Sequence, residues 1–332
     1  MSKKTRYISP KVSICIPTYN QAEFLSQALE SALNQSFKNI EVVISVNYCT
    51  DNTEKILKNY NDPRLKIVQP DRFLKMAENW RFCVSQSSGE YFNLLSSDDV
   101  LLPEFEVEQA TLLDRYPNAA FAHSACKLIN EKGQVIGKEK SIYPSFNRNG
   151  EQDLKRYIYG PRCVLVSALI RRTAYNQVGG FHSWKIIGDW DLWLRLLQVG
   201  DVVYNQHVLA QYRSWINMEG GSTQKLLDQV METVALYQKH EPIILKKHPK
   251  WKYHFVQAKR NQAKALIYGL ASVNNSTFRQ EIEIAIRKLS NDWHVRLMLF
   301  ALSLQLGPAL LLWKRLRLNI RQHVKTILYP KD

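Results

Sequence analysis

Asp98 and Asp99 are adjacent carboxylates at the end of a β-rich run, and Asp189 opens a compact helical pattern. Two carboxylates at a strand end supply hard oxygen ligands for Mg2+ or Mn2+, which would neutralise a diphosphate. The pair also reads as an acidic turn, with one Asp capping the helix that starts near Pro103. Asp189 precedes Trp190, Trp193, Leu194 and Leu197, spaced i, i+3, i+4 and i+7 as a core-facing stripe. It lies off that stripe, free to act as a general base or only to cap the helix. A helix N-terminus lowers carboxylate basicity, so a base there needs burial to bring its pKa toward the working pH. Asp191 and Arg195, four residues apart, are spaced to pair along the helix. Pro17-Thr18-Tyr19-Asn20 follows the first strand. Thr18 can hydrogen-bond and Tyr19 offers a ring to a base or ribose, or the segment is a turn in which Asn20 caps the next helix.

These groups need a scaffold, and the sequence supplies one. Residues 12–16 form a β-rich run ended by Pro17; Phe24, Leu25, Ala28, Leu29, Ala32 and Leu33 then recur at helical spacing. Strand patterns follow at 40–46, 65–68 and 91–95, alternating with helix patterns up to Leu57 and over 77–87. Repeated β-α-β units predict an α/β fold with a mainly parallel sheet, whose ligands sit beyond the carboxyl ends of the strands. Residues 164–170, 202–204 and 208–212 read as further strands, 130–133 as a turn and 189–198 as a helix. Beyond about Ser222 the pattern is helical throughout. The expected division is therefore an α/β domain over 1–222 and a helical, basic region over 223–332. No Gly-x-Gly-x-x-Gly or P-loop pattern occurs, so a dinucleotide fold or P-loop would lack its phosphate cradle.

The 332 residues include 45 Lys and Arg against 30 Asp and Glu, a formal charge of +15. From Glu241 onward there are 17 basic and 5 acidic residues, so the first 240 are close to neutral. That asymmetry excludes a uniformly basic nucleic-acid coat, and no nucleic-acid partner is expected. Cys15, Cys49, Cys83, Cys126 and Cys163 are widely spaced and form no Cys-x-x-Cys pair. They argue against a disulfide scaffold or thiolate zinc site and predict a reducing, cytoplasmic setting. Residues 1–11 are short and polar, unlike a signal peptide.

Residues 297–313 carry no charge, but Gly307-Pro308 interrupts them at the lower edge of a membrane-spanning length. From Pro308, Leu312, Trp313, Leu316, Ile320, Val324 and Ile327 follow helical spacing, with Lys314, Arg315, Arg317, Arg321 and Lys325 largely off that stripe. No acid lies between Arg296 and Lys331. The segment reads as an interfacial helix on an anionic membrane surface, placing the protein peripherally on the inner face of the cell membrane. A helix pair packed on the α/β domain is the alternative.

Taken together, the pieces resemble the family-2 glycosyltransferases of the GT-A fold over about residues 11–215. Residues 12–20 (VSICIPTYN) resemble the family's opening strand, and residues 29–35 (LESALNQ) its first helix with the characteristic Ser31 and Gln35. Residues 41–53 resemble the second strand and its turn. Glu78-Asn79-Trp80 and residues 89–99 (GEYFNLLSSDD) resemble the run into the metal-binding aspartates. Residues 169–172, 178–181, 189–195 and 209–213 resemble the acceptor half. The resemblance implies a Rossmann-like mixed, mainly parallel sheet flanked by helices, with an all-helical C-terminal extension. It implies an inverting enzyme that moves a sugar from a nucleotide-sugar donor to a glycan or lipid-linked acceptor, with surface polysaccharide as the expected product. Carried over by position, Pro17, Thr18, Tyr19, Asn47, Asn79, Ser97 and Asp98 would bind the donor. Asp98 and Asp99 would hold Mn2+ or Mg2+, Asp189 would deprotonate the acceptor hydroxyl, and Asp191 and Trp215 would lie on the acceptor side.

The chain departs from the family's pattern at named positions. Val46 stands where the family carries an Asp that binds the base, Ser96 where relatives place a further Asp, Gly188 where an acid precedes the base, and Trp215 where a His follows Tyr-Arg. A charged hydrogen bond is worth roughly 1.5–3 kcal/mol, so Val46 alone implies weaker nucleotide binding by about one to two orders of magnitude. A GT-A-shaped binding or scaffold module that no longer catalyses is the alternative these positions leave open. A sugar-phosphate nucleotidyltransferase shares the sheet plan but wants a Gly-rich basic loop after the first strand, which residues 17–20 are not.

Overall fold

The computed structural model describes residues 9–138, 144–214, 223–271, 276–304, 306, 307 and 312. Trp215 and residues 313–332 of the basic tail lie outside the described residues. The chain divides into two compact units, Met1–Asn217 and Met218–Asp332.

Among the described residues of the first unit there are ten strands: β1 (Val12–Thr18), β2 (Ile40–Val46), β3 (Leu65–Val68), β4 (Tyr91–Leu94), β5 (Val100–Leu101), β6 (Ala119–Ile129), β7 (Val135–Lys138), β8 (Phe146–Arg148), β9 (Ala168–Arg171) and β10 (Asp201–Arg213). Seven helices accompany them: α1 (Ala22–Leu33), α2 (Thr53–Leu57), α3 (Met76–Ser85), α4 (Phe105–Arg115), α5 (Gly150–Tyr157), α6 (Arg172–Gln177) and α7 (Gly188–Leu196). The sheet order is β3-β2-β1-β4-β9-β6-β10-β5, with β7 on β6 and β8 on β10. β3, β2, β1 and β4 are parallel, β9 is antiparallel to both β4 and β6, and β10 is parallel to β6. Two reversals cancel, so β10 runs in the direction of β4 and its last residue, Arg213, shares an edge with the ends of β1, β2 and β4.

Alternation along each strand sorts the two faces. Val12, Ile14 and Ile16 of β1 and Ile40, Val42, Ile44 and Val46 of β2 pack in one core with Leu25, Ala28, Leu29 and Ala32 of α1. The intervening residues point toward α3: Cys15 Sγ donates to Ser87 Oγ and Ser45 Oγ to Asn79 Oδ1. Gly89 enters β4 against β1, where a Cβ would stand 2.6 Å from Ser13 Oγ and 2.7 Å from its backbone nitrogen. Only glycine fits that approach, and its N–H donates to Ser13 Oγ at 2.8 Å.

The strand boundaries differ from the sequence pattern for local reasons. β1 continues through Pro17 to Thr18, because its pairing to β4 ends at Cys15 and the missing N–H faces that side. Residues 202–204 and 208–212 are one strand, β10, with register shifts between Asn205 and Ala210 and an exposed Gln206-His207 that breaks the alternation. Residues 164–170 divide into a 3-10 turn (Leu165–Ser167) and β9; the buried Asn93 amide holds that turn by donating to the carbonyls of Val166 and Ala168.

The second unit contains α8 (Thr223–Lys247), α9 (Lys252–Leu270), α10 (Ser276–Leu289) and α11 (Trp293–Ser303). Among the described residues no helix is long and apolar enough to cross a membrane.

One core residue is out of character. Glu106 of α4 is fully buried, and neither carboxylate oxygen has a hydrogen-bond partner among the described residues. Burial, reinforced by the nearby Cys15, pushes its carboxyl well above the usual range. The penalty is absent below the unfolded value of about 4.3 and grows as pH rises above it. Glu106→Gln should therefore gain stability over wild type as pH rises above about 5, by up to about 1.4 kcal/mol per pH unit, read from urea midpoints. A pH-independent difference would refute a protonated Glu106.

Candidate active site

The ends of β1, β2 and β4 release three loops at one sheet edge, and side-chain hydrogen bonds join the first two. Asn20, with φ 50°, accepts from Thr50 N at 2.7 Å, and Asp51 accepts from Ala22 N at 2.8 Å. Tyr48, with φ 55°, sends its hydroxyl to the carbonyl of Asp71 at 2.7 Å. Such left-handed residues hold only where the surroundings fix them, and here both loops are tied. Pro17 and Thr18 are buried in β1, and Thr18 Oγ1 has no hydrogen-bond partner among the described residues. Tyr19 is exposed beyond them, its ring edge-on to Phe73 at 5.1 Å.

Asn47 and Asn79 are both tied into the scaffold. Asn47 is buried; its Nδ2 donates to Leu74 O at 2.8 Å and its Oδ1 accepts from Leu74 N at 2.9 Å. Both amide atoms are engaged by the loop before α3, each through one hydrogen bond. Val46 itself is buried in the α1 core, in register with Thr18. Asn79 is buried, and its Oδ1 accepts from Ser45 Oγ at 2.6 Å, securing α3 to β2.

The Asp98-Asp99 loop is gripped from two directions. On α1, Ser31 Oγ accepts from Leu101 N at 3.2 Å, and just beyond the end of that helix Gln35 donates to Leu102 O at 2.9 Å while accepting from Glu106 N at 3.1 Å. On β10, Arg213 is buried. Its backbone N–H donates to Asp99 Oδ1 at 2.7 Å and its Nε to Asp98 O at 2.7 Å. Three further guanidinium hydrogens reach Asn130 O at 2.6 Å, Glu131 O at 2.9 Å and Gln27 Oε1 at 2.7 Å, over the Phe24 ring. Ser97 is buried beside this loop, Asp98 is half-buried and Asp99 buried. Burial first, then the charge of Asp98, pushes the Asp99 carboxyl well up, against the opposing pull of Arg213.

α7 carries the third carboxylate. Trp190 and Trp193 are buried, and Trp190 Nε1 donates to Tyr157 O at 2.7 Å, which fixes the helix start. Asp189 accepts from Trp190 N at 2.7 Å. Burial raises its carboxyl to about 6, outweighing that bond and the helix N-terminus. Two residues on, Asp191 is fully buried and bound by Arg195 at 2.7 Å and by His182 at 3.1 Å. The i,i+4 pair forms as its spacing predicts. Asp191 thus anchors α7 through these two partners.

Tyr212 lies within Coulombic reach of all three carboxylates. It lies on β10 beside Arg213, and its phenol is raised to about 12 by burial and then by the charges of Asp99, Asp98 and Asp189. Sequence reasoning singled out neither Tyr212 nor Arg213 as a site residue. The available signal was a Tyr-Arg pair closing a β-rich run. Asp98 and Asp99 offer two adjacent oxygen donors with mutual repulsion, which suits a hard cation that completes its shell with substrate phosphate and water. Among the described residues no group of three or more His, Cys, Asp and Glu is arranged to hold a metal by itself.

Comparison with known proteins agrees with this geometry. Residues 13–179 match the family model described as glycosyl transferase family 2. An uncharacterized glycosyltransferase of Rickettsia typhi is 31% identical over 248 residues, covering 70% of this chain and 72% of that protein. The chondroitin synthase of Pasteurella multocida is 32% identical over 206 residues, which is 58% of this chain and 19% of that protein. In fold, the chain is similar to the mannosyltransferase PcManGT of Pyrobaculum calidifontis, solved with GDP-Man and Mn2+, with a TM-score of 0.55 and 14% identity. That match covers 98% of this chain and 89% of the other.

Arg213→Met would leave the acceptors on the aspartate loop, the β6–β7 turn and α1 unpaired at once. Urea unfolding should show a loss of about 3–5 kcal/mol, with Arg213→Lys between Met and wild type. A neutral Arg213→Met would mean the loop is held by α1 alone.

Proposed function

Because the chain belongs to glycosyl transferase family 2 and has the GT-A fold, we propose that it is an inverting, divalent-cation-assisted hexosyltransferase. The donor is a nucleotide sugar and the acceptor a hydroxyl of a glycan or lipid-linked glycan, in the synthesis of a surface polysaccharide. The similarity to a chondroitin synthase supports the polysaccharide reading, and PcManGT with its GDP-Man and Mn2+ supports a nucleotide sugar and a cation. The basic C-terminal unit supports work at the cytoplasmic face of a membrane.

The observation that carries the reading is Asp189. It is a carboxylate raised to about 6, converging with Asp98 and Asp99 around Tyr212. At that value the group is ionised at neutral pH yet basic enough to accept a proton in a transition state. Asp189 takes the proton of the acceptor hydroxyl, whose oxygen attacks the anomeric carbon from the face opposite the diphosphate. The C–O bond to the diphosphate breaks as the new one forms, and the configuration inverts. One base suffices, and no covalent enzyme intermediate is needed. Asp98 and Asp99 would hold the cation, which supplies charge neutralisation for the departing nucleoside diphosphate. Thr18 and Tyr19 meet the nucleotide, with the Tyr19 ring and neighbouring Phe73 offering stacking where Val46 offers no carboxylate.

Turnover of nucleotide sugars with Mn2+ tests the roles. Asp189→Asn should lower kcat by about 10²–10⁴-fold, and Asp99→Ala should lower it and raise the Mn2+ requirement. Wild-type kcat/KM should fall as pH drops through about 6, because the base is lost on protonation, and that limb should be missing in Asp189→Asn. Turnover unaffected by either substitution would sink the assignment. Nucleotides at about a hundred times their dissociation constant should stabilise the protein by roughly 2.7 kcal/mol. A panel in which none shifts the melt would favour a binding or scaffold role.

A further inference from the structure

Helix α11 is apolar on both sides. Val295, Leu299 and Leu302 are buried within the helical unit. On the other side Trp293, Leu297, Phe300 and Leu304 fall at i, i+4, i+7 and i+11, and they are 65%, 57%, 59% and 55% exposed. The line extends about 16 Å along the helix. Single exposed apolar residues are ordinary, but four large ones in register form a face that something covers. The helix is held firmly at its start: Asp292 accepts from the backbone N–H groups of His294 and Val295, and its carboxylate is bound by Arg260 and Ser290.

Charge selects the occupant. The chain from Glu241 onward carries 17 basic and 5 acidic residues, and after Asp292 the next acid is Asp332. His294 stacks on Trp293 at 3.5 Å, Arg296 lies one turn on, and Arg287 and Lys288 close α10 just before the helix. A second copy of this unit would bring like charge against like, whereas an anionic bilayer brings the opposite sign.

We infer that the Trp293-Leu297-Phe300-Leu304 face of α11 lies in the apolar boundary of an anionic bilayer, with Trp293 at headgroup level and the unit's cations against lipid phosphates. The inference rests on the proposed work at a membrane face and adds the contact itself, on α11 rather than in the basic tail alone. Trp suits that level because its ring is apolar and its N–H seeks a partner.

The test uses the full chain and sedimentation with vesicles of phosphatidylcholine, with and without phosphatidylglycerol. Leu297→Ser with Phe300→Ser leaves the charge unchanged and, because both residues are exposed, should leave the melting temperature unchanged. It should weaken binding to the anionic vesicles by about tenfold or more. Brominated lipid should quench wild-type fluorescence more than that of Trp293→Phe. Equal binding by wild type and the double variant would overturn the α11 contact while leaving the membrane reading intact. No binding of wild type to either vesicle would overturn both, without touching glycosyl transfer. A dimer that the double variant dissolves, with no vesicle binding, would assign the face to a second copy and overturn the inference.

Discussion

The buried guanidinium of Arg213 is the constraint on which the catalytic edge depends. Removing such a cation from water is costly, and the cost is offset only when every donor finds an acceptor. Here the acceptors come from three distant parts of the chain: Asp98, the turn at Asn130 and Glu131, and Gln27 of α1. Arg213 grips Asp98 by its carbonyl, and Asp99 by a backbone N–H. The loop is therefore fixed through the Asp98 carbonyl and a backbone N–H on Asp99, without a side-chain ion pair from Arg213 to either carboxylate. Ser31 of α1 and Gln35 just beyond it hold the segment after the aspartates from the opposite side, which gives these two polar residues a physical reason to be where they are.

α7 shows how environment divides labour between identical side chains. Asp189 and Asp191 are two residues apart. Asp191 is enclosed by Arg195 and His182, so its charge is spent on holding the helix. Asp189 has burial without such a cation, and its carboxyl rises to about 6 even at a helix N-terminus, where the dipole opposes the rise. Trp190 and Trp193 make this arrangement durable by burying the opposite face of the helix and anchoring it through the Tyr157 carbonyl.

Much of this was legible in the sequence. The alternation of strand and helix patterns over the first hundred residues placed β1, β2, β3 and β4 nearly to the residue, and β1, β2 and β4, buried on both faces, read as near-continuous apolar runs. Asp98, Asp99 and Asp189 stood out by residue type and by their place beside predicted element ends. Less legible were β5 and β8, two and three residues long, which are too short to show a period. The bulge at Gln206-His207 made one strand look like two. Asn47 and Asn79 matched a binding pattern by position, yet their amides serve the loop before α3 and strand β2. A hydrogen-bonding side chain looks the same in sequence whether its partner is a ligand or its own backbone.

By itself, the sequence determined the strand and helix periods, the turn chemistry, the asymmetry of charge and the set of carboxylates from which a site could be drawn. These are local properties, fixed by residue type and spacing. Tertiary structure alone decided which carboxylates keep their charge for chemistry. It took Asp191 into an ion pair, left Asp189 desolvated, and brought both near-neighbours of Arg213 in space, Asp98 and Asp99, to one edge with Tyr212. The reason is that desolvation and Coulomb interaction depend on distances between residues far apart in the chain, and only the closed sheet sets those distances.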